Sequence, residues 1–228
     1  YPGARCDVES MEYSYSFSED LQQEWDWTER YATQPEILKY INHVADRFDL
    51  RRDVKFSTRV SAAVFDAAAS RWTVTTEHGD VVKAQFCVLA TGCLSAAKPP
   101  EIKGRDLFQG ASYHTGLWPH EPIDFKGKTV GVIGTGSSGI QTIPEVAKQA
   151  AHLFVFQRTP AFSLPAGNRP LNEAEVQEIK QNYADLRKRA RVSPTGMASD
   201  PLPTQSALRV TPQEREMAYE FRWQAGGT

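Results

Sequence analysis

Residues 130–139 read VGVIGTGSSG, a hydrophobic run followed by the glycine pattern GxGxxG. In this pattern Gly134 permits a tight turn, Gly136 lets the backbone approach a pyrophosphate, and Gly139 lets a helix pack close to the strand. The amides at the start of that helix would hold the phosphates. The stretch therefore predicts a dinucleotide-binding turn. A glycine-rich turn without a ligand is the alternative interpretation.

The residues on both sides of this turn complete a βαβ pattern. The sequence predicts a strand over 128–133, a helix over 138–150 and a second strand over 153–157. A βαβ unit is the building block of parallel sheets covered by helices. The predicted fold class is therefore α/β, with a Rossmann-like domain around this unit.

The end of the second predicted strand indicates which nucleotide is preferred. An NAD-binding unit places a carboxylate here, on the ribose 2′-hydroxyl. This strand ends instead in Gln157, Arg158 and Thr159, none of which is acidic. Arg158 can pair bidentately with a 2′-phosphate, and Thr159 can donate a hydrogen bond to it. We therefore predict NADPH rather than NADH. A solvated charge at the strand end is the alternative for Arg158.

The remaining segments alternate between helical and strand-like patterns. Residues 86–90, FCVLA, form an apolar run before Thr91 and Gly92, which is typical of a buried parallel strand that meets a ligand. The aromatic-rich residues 1–30 can pack their rings as a loop-rich surface over a cofactor or over another domain, although such a stretch is more often a core or an interface. Three further helices are predicted: one over 34–48, one over 173–191 after an Asn172–Glu175 capping box, and one from a Thr211–Glu214 capping box to Gly226 and Gly227. Antiparallel strands are predicted over 54–56, 58–65, 72–76 and 81–84, and a loop over 193–206.

Composition excludes several classes of function. The 228 residues carry 26 basic and 28 acidic side chains, a net charge of -2, so nucleic acid is not an expected partner. The apolar runs are too short to span a membrane. Cys6, Cys87 and Cys93 form no CxxC motif, which argues against a disulfide framework and favours the cytosol. No His, Cys, Asp or Glu cluster has metal-ligand spacing, so we predict no metal site, and the lack of a GxSxG motif leaves an acyl-enzyme mechanism without support. The opening lacks a Met and a signal pattern, and we expect both termini to be cuts.

A second motif lies between the proline-rich residues 98–100 and the phosphate turn. Residues 108–119 read FQGASYHTGLWP and match FxGxxxHxxxW(P/D), the fingerprint of Baeyer–Villiger monooxygenases, at Phe108, Gly110, His114 and Trp118. The opening YPGARCD matches the end of a further motif of that family, YPGxxxD. The chain thus resembles Baeyer–Villiger monooxygenases over essentially its whole length, nearest to the phenylacetone, steroid and cyclic-ketone enzymes. N-hydroxylating flavin monooxygenases have an altered fingerprint.

The resemblance implies an oxidoreductase that uses FAD, NADPH and O2. Such an enzyme forms a flavin C4a-peroxide and inserts one oxygen atom beside a ketone carbonyl, giving an ester or lactone. Two alternatives stay open. One is a flavin monooxygenase that oxidises amine nitrogen or sulfide sulfur; the other is a truncated NADPH-binding module without activity, which would bind NADPH without a yellow flavin.

The resemblance also assigns residues. Asp7 would be catalytic, beside the flavin and nicotinamide, where its carboxylate can orient an arginine. Asp7, Tyr13 and Val60 would contact FAD. Cys93 and Leu94, after an ATG-type motif, would line the ketone pocket. NADP would be bound by Arg5, Cys6, Gly134, Gly136, Ser137, Ser138, Gly139, Ile140, Gln141, Thr142, Arg158 and Thr159.

Structural interpretations accompany these assignments. Asp7 could be a turn-stabilising acceptor. His114 and Trp118 could be an ordinary packed pair, and within the family they would link domain positions, so no proton transfer is assigned to His114.

The predicted domains are an incomplete FAD-binding domain over 1–94, an NADPH-binding Rossmann-like domain over 95–163 and the start of a helical subdomain over 164–228. The family's FAD-binding GxGxxG would lie before Tyr1 and its catalytic arginine after Thr228. We therefore expect this fragment to be inactive alone. We also expect the protein to be a monomer.

Overall fold

The structure is a computed structural model that describes residues 1–198 and 205–226. Its contacts group into two units, which we call unit 1 (Tyr1–Asn42 with His120–Thr228) and unit 2 (His43–Pro119). The predicted domain boundaries after residues 94 and 163 stay predictions. The α-helices are α1 (Ser10–Tyr13), α2 (Glu19–Glu24), α3 (Gln34–Arg47), α4 (Ser137–Ala147), α5 (Glu173–Gln181), α6 (Tyr183–Val192) and α7 (Pro212–Ala225). The strands are β1 (Val60–Asp66), β2 (Arg71–Thr76), β3 (Val81–Ala84), β4 (Thr129–Ile133) and β5 (His152–Phe156).

The predicted βαβ unit is present in unit 1. Strands β4 and β5 pair in parallel, from Thr129 opposite His152 to Ile133 opposite Phe156, and α4 connects them. The α/β fold class is thereby confirmed. Helix α4 ends at Ala147 rather than at residue 150, because the amide of Gln149 bonds three residues back, to Val146, and tightens the last turn.

The aromatic side chains near the start of the chain form a core. Trp27 is 4% exposed and Tyr40 is 1% exposed, and their ring centroids lie 5.0 Å apart. Trp25 packs edge-on against Tyr40 at 5.3 Å. The expectation of a core is confirmed, but that of a loop-rich surface is wrong in part, because α1 and α2 form. The hydroxyl of Ser18 caps α2 by accepting from the amide of Leu21.

Residues 28–31 are paired with residues 168–171, far along the chain. The amide of Arg30 donates to the carbonyl of Arg169, and the amide of Leu171 donates to that of Thr28, both at 3.0 Å. The side-chain oxygen of Asn168 accepts from the amide of Tyr31 at 2.9 Å. The segment that leads into α5 is therefore fixed to the aromatic core.

Arg187 on α6 binds the backbone around α1. Its Nη2 donates to the carbonyls of Met11 at 3.1 Å and Ser14 at 2.7 Å, and its guanidinium lies over the ring of Tyr183. A guanidinium has five N–H donors, so one side chain can serve several carbonyls at once. Arg187 thereby attaches α6 to the start of the chain.

The single helix predicted over 173–191 is wrong. It is two helices, α5 and α6, that meet at Asn182 (φ -105°, ψ 8°). The amide of Asn182 bonds to both Glu178 and Ile179, and its side-chain amide also donates to the carbonyl of Glu178 at 2.8 Å. An asparagine side chain that competes for a helix carbonyl interrupts the regular ladder.

Unit 2 contains the predicted antiparallel strands in the order β1-β2-β3. Phe65 stands opposite Trp72, and their ring centroids lie 5.3 Å apart. The strand predicted over 54–56 is wrong, because a 3-10 helix (Leu50–Asp53) leads into a turn there and Ser57 has a positive φ of 50°. The apolar alternation in this segment is too short to compete with the turn.

The strand predicted over 86–90 is also wrong. These residues form no strand in the described part of the chain, and Val88 is 86% exposed. A parallel strand exists only when neighbouring strands accept its backbone hydrogen bonds, and none of the described strands lies beside this segment. The apolar run therefore lacks the pairing that its composition suits.

Both predicted capping boxes are confirmed. Asn172 with Glu175 opens α5, and Thr211 with Glu214 opens α7, which ends at Ala225 with Gly226 as its C-cap. Residues 199–204 of the loop predicted over 193–206, and Gly227 of the predicted stop, lie outside the described residues. None of the helices in the described ranges combines the length and apolarity needed to cross a membrane.

We expect Arg187→Met to lower the free energy of unfolding by about 2 kcal/mol, because two carbonyls lose charged donors. Urea unfolding of the protein made from the complete reading frame would measure this loss. Arg191→Met is the matched control, since Arg191 is exposed on the same helix and makes no hydrogen bond to the described residues. Equal midpoints for the two variants would contradict the expectation.

Candidate functional site

The turn between β4 and α4 has the geometry predicted for a phosphate loop. Gly134 has a φ of +100°, and its amide donates to the carbonyl of Phe156 at 2.9 Å, which ties the loop to β5. A Cβ at Gly139 would lie 2.4 Å from the carbonyl oxygen of Gly134. The helix therefore approaches the loop so closely that a side chain at this position would collide with the backbone.

The start of α4 is open. Its N-cap, Gly136, provides no side-chain hydrogen bond, and a Cβ built there would meet no atom within 4 Å. The amide of Ile140 donates to the Gly136 carbonyl at 2.9 Å, whereas the amides of Ser137 to Gly139 precede this first helical hydrogen bond and are not satisfied by a side-chain cap. Unsatisfied amides and the helix dipole together favour an anion at this position.

The end of β5 places a positive charge beside the loop. The side-chain amide of Gln157 donates to the hydroxyl of Thr135 at 2.8 Å, which joins the strand end to the glycine turn. Arg158 and Thr159 follow and are exposed. Arg158 makes no ion pair with residues 1–198 or 205–226, so its guanidinium is available to a phosphate. Gln157 was not predicted as a site residue, although its position next to Arg158 is a usable signal.

Two predicted phosphate residues already use their side chains within the protein. Gln141 bonds to Tyr1 and Arg5, with distances of 2.9 Å from the Tyr1 hydroxyl and 3.1 Å to the Arg5 carbonyl. Thr142 is buried, and its hydroxyl donates to the carbonyl of Ser138 at 2.7 Å. Their assignment to NADP stays a prediction, and the two side chains serve to attach and stabilise α4.

The structure brings Cys6, Asp7 and Tyr13 into electrostatic contact. Burial raises the pKa of the Cys6 thiol, which stays protonated at neutral pH. Desolvation also raises the pKa of the Tyr13 phenol, and the nearby Cys6 and Asp7 add to the shift. Asp7 itself is exposed. These three predicted residues therefore form one cluster in which the Asp7 carboxylate faces solvent.

Arg5 is held by an acidic partner next to this cluster. Its Nη1 donates to Glu29 Oε2 at 3.1 Å, and the side-chain amide of Asn168 also donates to that carboxylate oxygen at 2.5 Å. The Arg5 guanidinium is therefore partly neutralised. Its predicted contact with the nicotinamide half of NADP stays a prediction.

The fingerprint folds locally in unit 2. The ring of Phe108 lies over Gly110, because a Cβ there would be 2.6 Å from Cζ of that ring. The Nδ1 of His114 accepts from the amide of Gly116 at 3.1 Å and caps a 3-10 helix (Thr115–Leu117). Trp118 packs against Tyr113 with ring centroids 5.6 Å apart. These contacts are local, and the role of His114 and Trp118 in linking domain positions stays a prediction.

The other predicted residues of unit 2 are exposed. Val60 begins β1, Cys93 has a free thiol, and Leu94 is 90% exposed. The assignment of Val60 to FAD and of Cys93 and Leu94 to a ketone pocket stays a prediction. Throughout the described ranges, no group of three His, Cys, Asp or Glu side chains is arranged to hold a metal ion.

Comparison with known proteins assigns the family. The family model described as pyridine nucleotide-disulphide oxidoreductase matches residues 9–195. The chain belongs to this family. The matched range includes the open phosphate loop of α4.

Relatives with known names resemble the chain along its whole length. A Baeyer-Villiger monooxygenase of Pseudooceanicola batsensis is 44% identical over 229 residues, which cover 100% of this chain and 41% of the relative. A phenazine N-monooxygenase, PhzNO1 of Lysobacter antibioticus, is 43% identical over 226 residues, which cover 99% of this chain and 41% of that protein. The chain spans less than half the length of these relatives.

A solved structure shares the fold. The structure described as an oxidized steroid monooxygenase bound to NADP is 58% identical, with a TM-score of 0.90, and the match covers 100% of this chain and 43% of that one. The predicted resemblance to Baeyer–Villiger monooxygenases is confirmed by these similarities.

We expect Gly139→Ala to destabilise the protein by about 1–3 kcal/mol, because the added methyl group collides with the Gly134 carbonyl. Gly136→Ala should leave stability unchanged, since nothing lies within 4 Å of its Cβ and its φ of -72° suits alanine. Thermal unfolding of the protein from the complete reading frame, without nucleotide, distinguishes the two. An unchanged midpoint for Gly139→Ala would show that the loop can relax around a methyl group.

Proposed function

We propose that the chain is part of an FAD- and NADPH-dependent Baeyer–Villiger monooxygenase, which inserts one oxygen atom of O2 beside a ketone carbonyl to give an ester or lactone. The observation that carries the proposal is the open phosphate loop of α4 together with Arg158, which makes no ion pair in the described ranges. A relative with 58% identity is bound to NADP, which supports NADP(H) as the nucleotide. The intact FxGxxxHxxxW fingerprint supports ketone oxidation.

The residues present fit NADPH. The first-turn amides of α4 would hold the pyrophosphate, and the space at Gly136 leaves room for it to approach the backbone. Arg158 would pair with the 2′-phosphate, and Thr159 would donate a hydrogen bond to it. The side chains of Gln141 and Thr142 bond to Arg5 and Ser138, so residues 140–142 would support this turn from behind rather than touch the pyrophosphate with their side chains.

The residues proposed for FAD are accessible. Asp7, Tyr13 and Val60 each expose side-chain surface, as contact with a cofactor requires. When bound, NADPH supplies a hydride and the flavin supplies the oxygen chemistry. The part of this chain would be to hold the nucleotide, to present the Asp7 carboxylate to a catalytic arginine, and to exclude water.

The proposal includes the organisation of the protein. Residues 1–94 would belong to an FAD-binding domain, 95–163 to an NADPH-binding domain and 164–228 to a helical subdomain. The partners would be a small ketone and O2, with no nucleic acid, and the protein would be a monomer. The free thiols of Cys6, Cys87 and Cys93 support a cytosolic location.

Product analysis tests the activity. The protein from the complete reading frame would be incubated with FAD, NADPH, O2 and a panel of aryl, cyclic and steroid ketones, with an amine, a sulfide and phenazine in parallel. An ester or lactone one oxygen heavier than its ketone supports the proposal. An N-oxide or S-oxide without any ester would assign the protein to heteroatom oxidation instead, a class represented by the phenazine N-monooxygenase relative. Binding of NADPH without flavin or turnover would indicate a module without activity.

We expect Arg158→Ala to raise the KM for NADPH about 10- to 100-fold and to leave the KM for NADH unchanged, because only the 2′-phosphate loses a charged partner worth about 1.5–3 kcal/mol. Initial rates of NADPH and NADH oxidation would measure both values. Lys128→Ala is the control, since Lys128 is an exposed cation just before β4. An equal rise for both nucleotides would exclude Arg158 from 2′-phosphate binding.

A further inference from the structure

Gln141 connects α4 to the opening segment through both ends of its side-chain amide. Its Oε1 accepts from the Tyr1 hydroxyl at 2.9 Å and from the Arg5 amide at 3.4 Å. Its Nε2 donates to the Arg5 carbonyl at 3.1 Å. Both backbone groups of Arg5 therefore bind one side chain, as they would bind a neighbouring strand.

A close backbone approach reinforces these hydrogen bonds. Gly3 has a φ of +75°, and a Cβ there would lie 2.2 Å from the Gln141 carbonyl oxygen and 3.0 Å from Cγ of Glu145. No side chain fits between the opening segment and α4 at this position. The contact thus includes the helix backbone as well as the Gln141 amide.

The opening segment is also held on its other side. The amide of Cys6 donates to the carbonyl of Ala32 at 3.0 Å, and the amide of Gln34 donates to that of Ala4 at 2.8 Å. Asp7 follows directly and is exposed. Its backbone position is therefore determined by α4 on one side and by residues 32–34 on the other.

One rigid helix thus joins the phosphate loop to the Asp7 segment, defined as residues 1–7. The first turn of α4 faces the open loop, and Gln141 begins the next turn, with its amide on Arg5. A helix transmits a displacement at its N-terminus to the following turn, because its backbone hydrogen bonds make it stiff. A purely structural glutamine would stabilise the fold without linking these two sites.

We propose that Gln141 is a positioning residue that fixes the Asp7 segment to the nucleotide-binding helix, so that Asp7 keeps one position relative to bound NADP(H). The inference rests on the proposed function, in which α4 binds NADPH. Gln141 acts through Arg5 and does not touch the reacting atoms. Loss of its amide should release the Asp7 segment and leave the phosphate-binding amides in place.

Hydrogen exchange on the protein from the complete reading frame tests this role. In the wild type, NADP+ should slow exchange in the Asp7 segment. In Gln141→Leu, exchange of this segment should rise roughly tenfold and no longer respond to NADP+, because about 1.4 kcal/mol of hydrogen bonding is lost. The Kd for NADP+, measured by calorimetry, should change less than about threefold, since the first-turn amides remain.

Gln149→Leu is the matched control, because Gln149 is exposed just after α4 and makes no side-chain hydrogen bond to the described residues. Tyr1→Phe removes one of the three hydrogen bonds and should give a smaller rise, which keeps the test open if Gln141→Leu does not fold. In an active protein, Gln141→Leu should lower kcat with the KM for NADPH unchanged.

The inference would be overturned by exchange in Gln141→Leu equal to the wild type, by an equal rise in Gln149→Leu, or by NADP+ protection that persists in Gln141→Leu. Failure of the proposed function is a separate result, recognised by a wild type that forms no ester. In that case the NADP+ response of the Asp7 segment still decides the role of Gln141. A wild type that binds NADP+ without protecting this segment would also overturn it.

Discussion

Unit 1 depends on the attachment of residues 1–33 to later parts of the chain. Gln141 and the backbone of α4 hold the first residues. Lys180 and Arg187 hold the stretch around α1 and α2. The ammonium of Lys180 lies 2.5 Å from Asp26 Oδ1. Buried polar groups need partners, so these hydrogen bonds permit the aromatic side chains between them to be enclosed. The position of the Asp7 segment and the burial of the aromatic core both result from these attachments.

In the proposed function, two electrostatic features of the βαβ unit would serve different purposes in nucleotide binding. The start of α4 attracts any phosphate, because amides and the helix dipole do not depend on the base or ribose. In the proposed function, discrimination would fall to the end of β5, where Arg158 makes no ion pair with the described residues. The hydrogen bond from Gln157 to Thr135 keeps these two functions at a constant separation.

The sequence predicted the parts of the molecule that depend on local pattern. The βαβ unit and both capping boxes require only neighbouring residues, and they were predicted with small errors at the ends. The run over 86–90 failed because a parallel strand is defined by its neighbours. The break at Asn182 was not predicted, because the periodicity of apolar residues continues through it. Of the candidate site, the glycine turn was predictable and the role of Arg158 stays a prediction, whereas the use of Gln141 by Arg5 depends on a contact across more than a hundred residues.

The long hydrogen bonds of unit 1 also have a consequence for the order in which the protein is made. Unit 2 is one continuous stretch, so it can form soon after it leaves the ribosome. Unit 1 joins residues separated by 140 positions at Tyr1 and Gln141 and by 176 positions at Met11 and Arg187. Contacts that close long loops form slowly, and apolar surface stays uncovered until they do. The carbonyls of Met11 and Ser14 therefore gain their Arg187 donor only after α6 has been synthesised, so unit 1 closes later than unit 2.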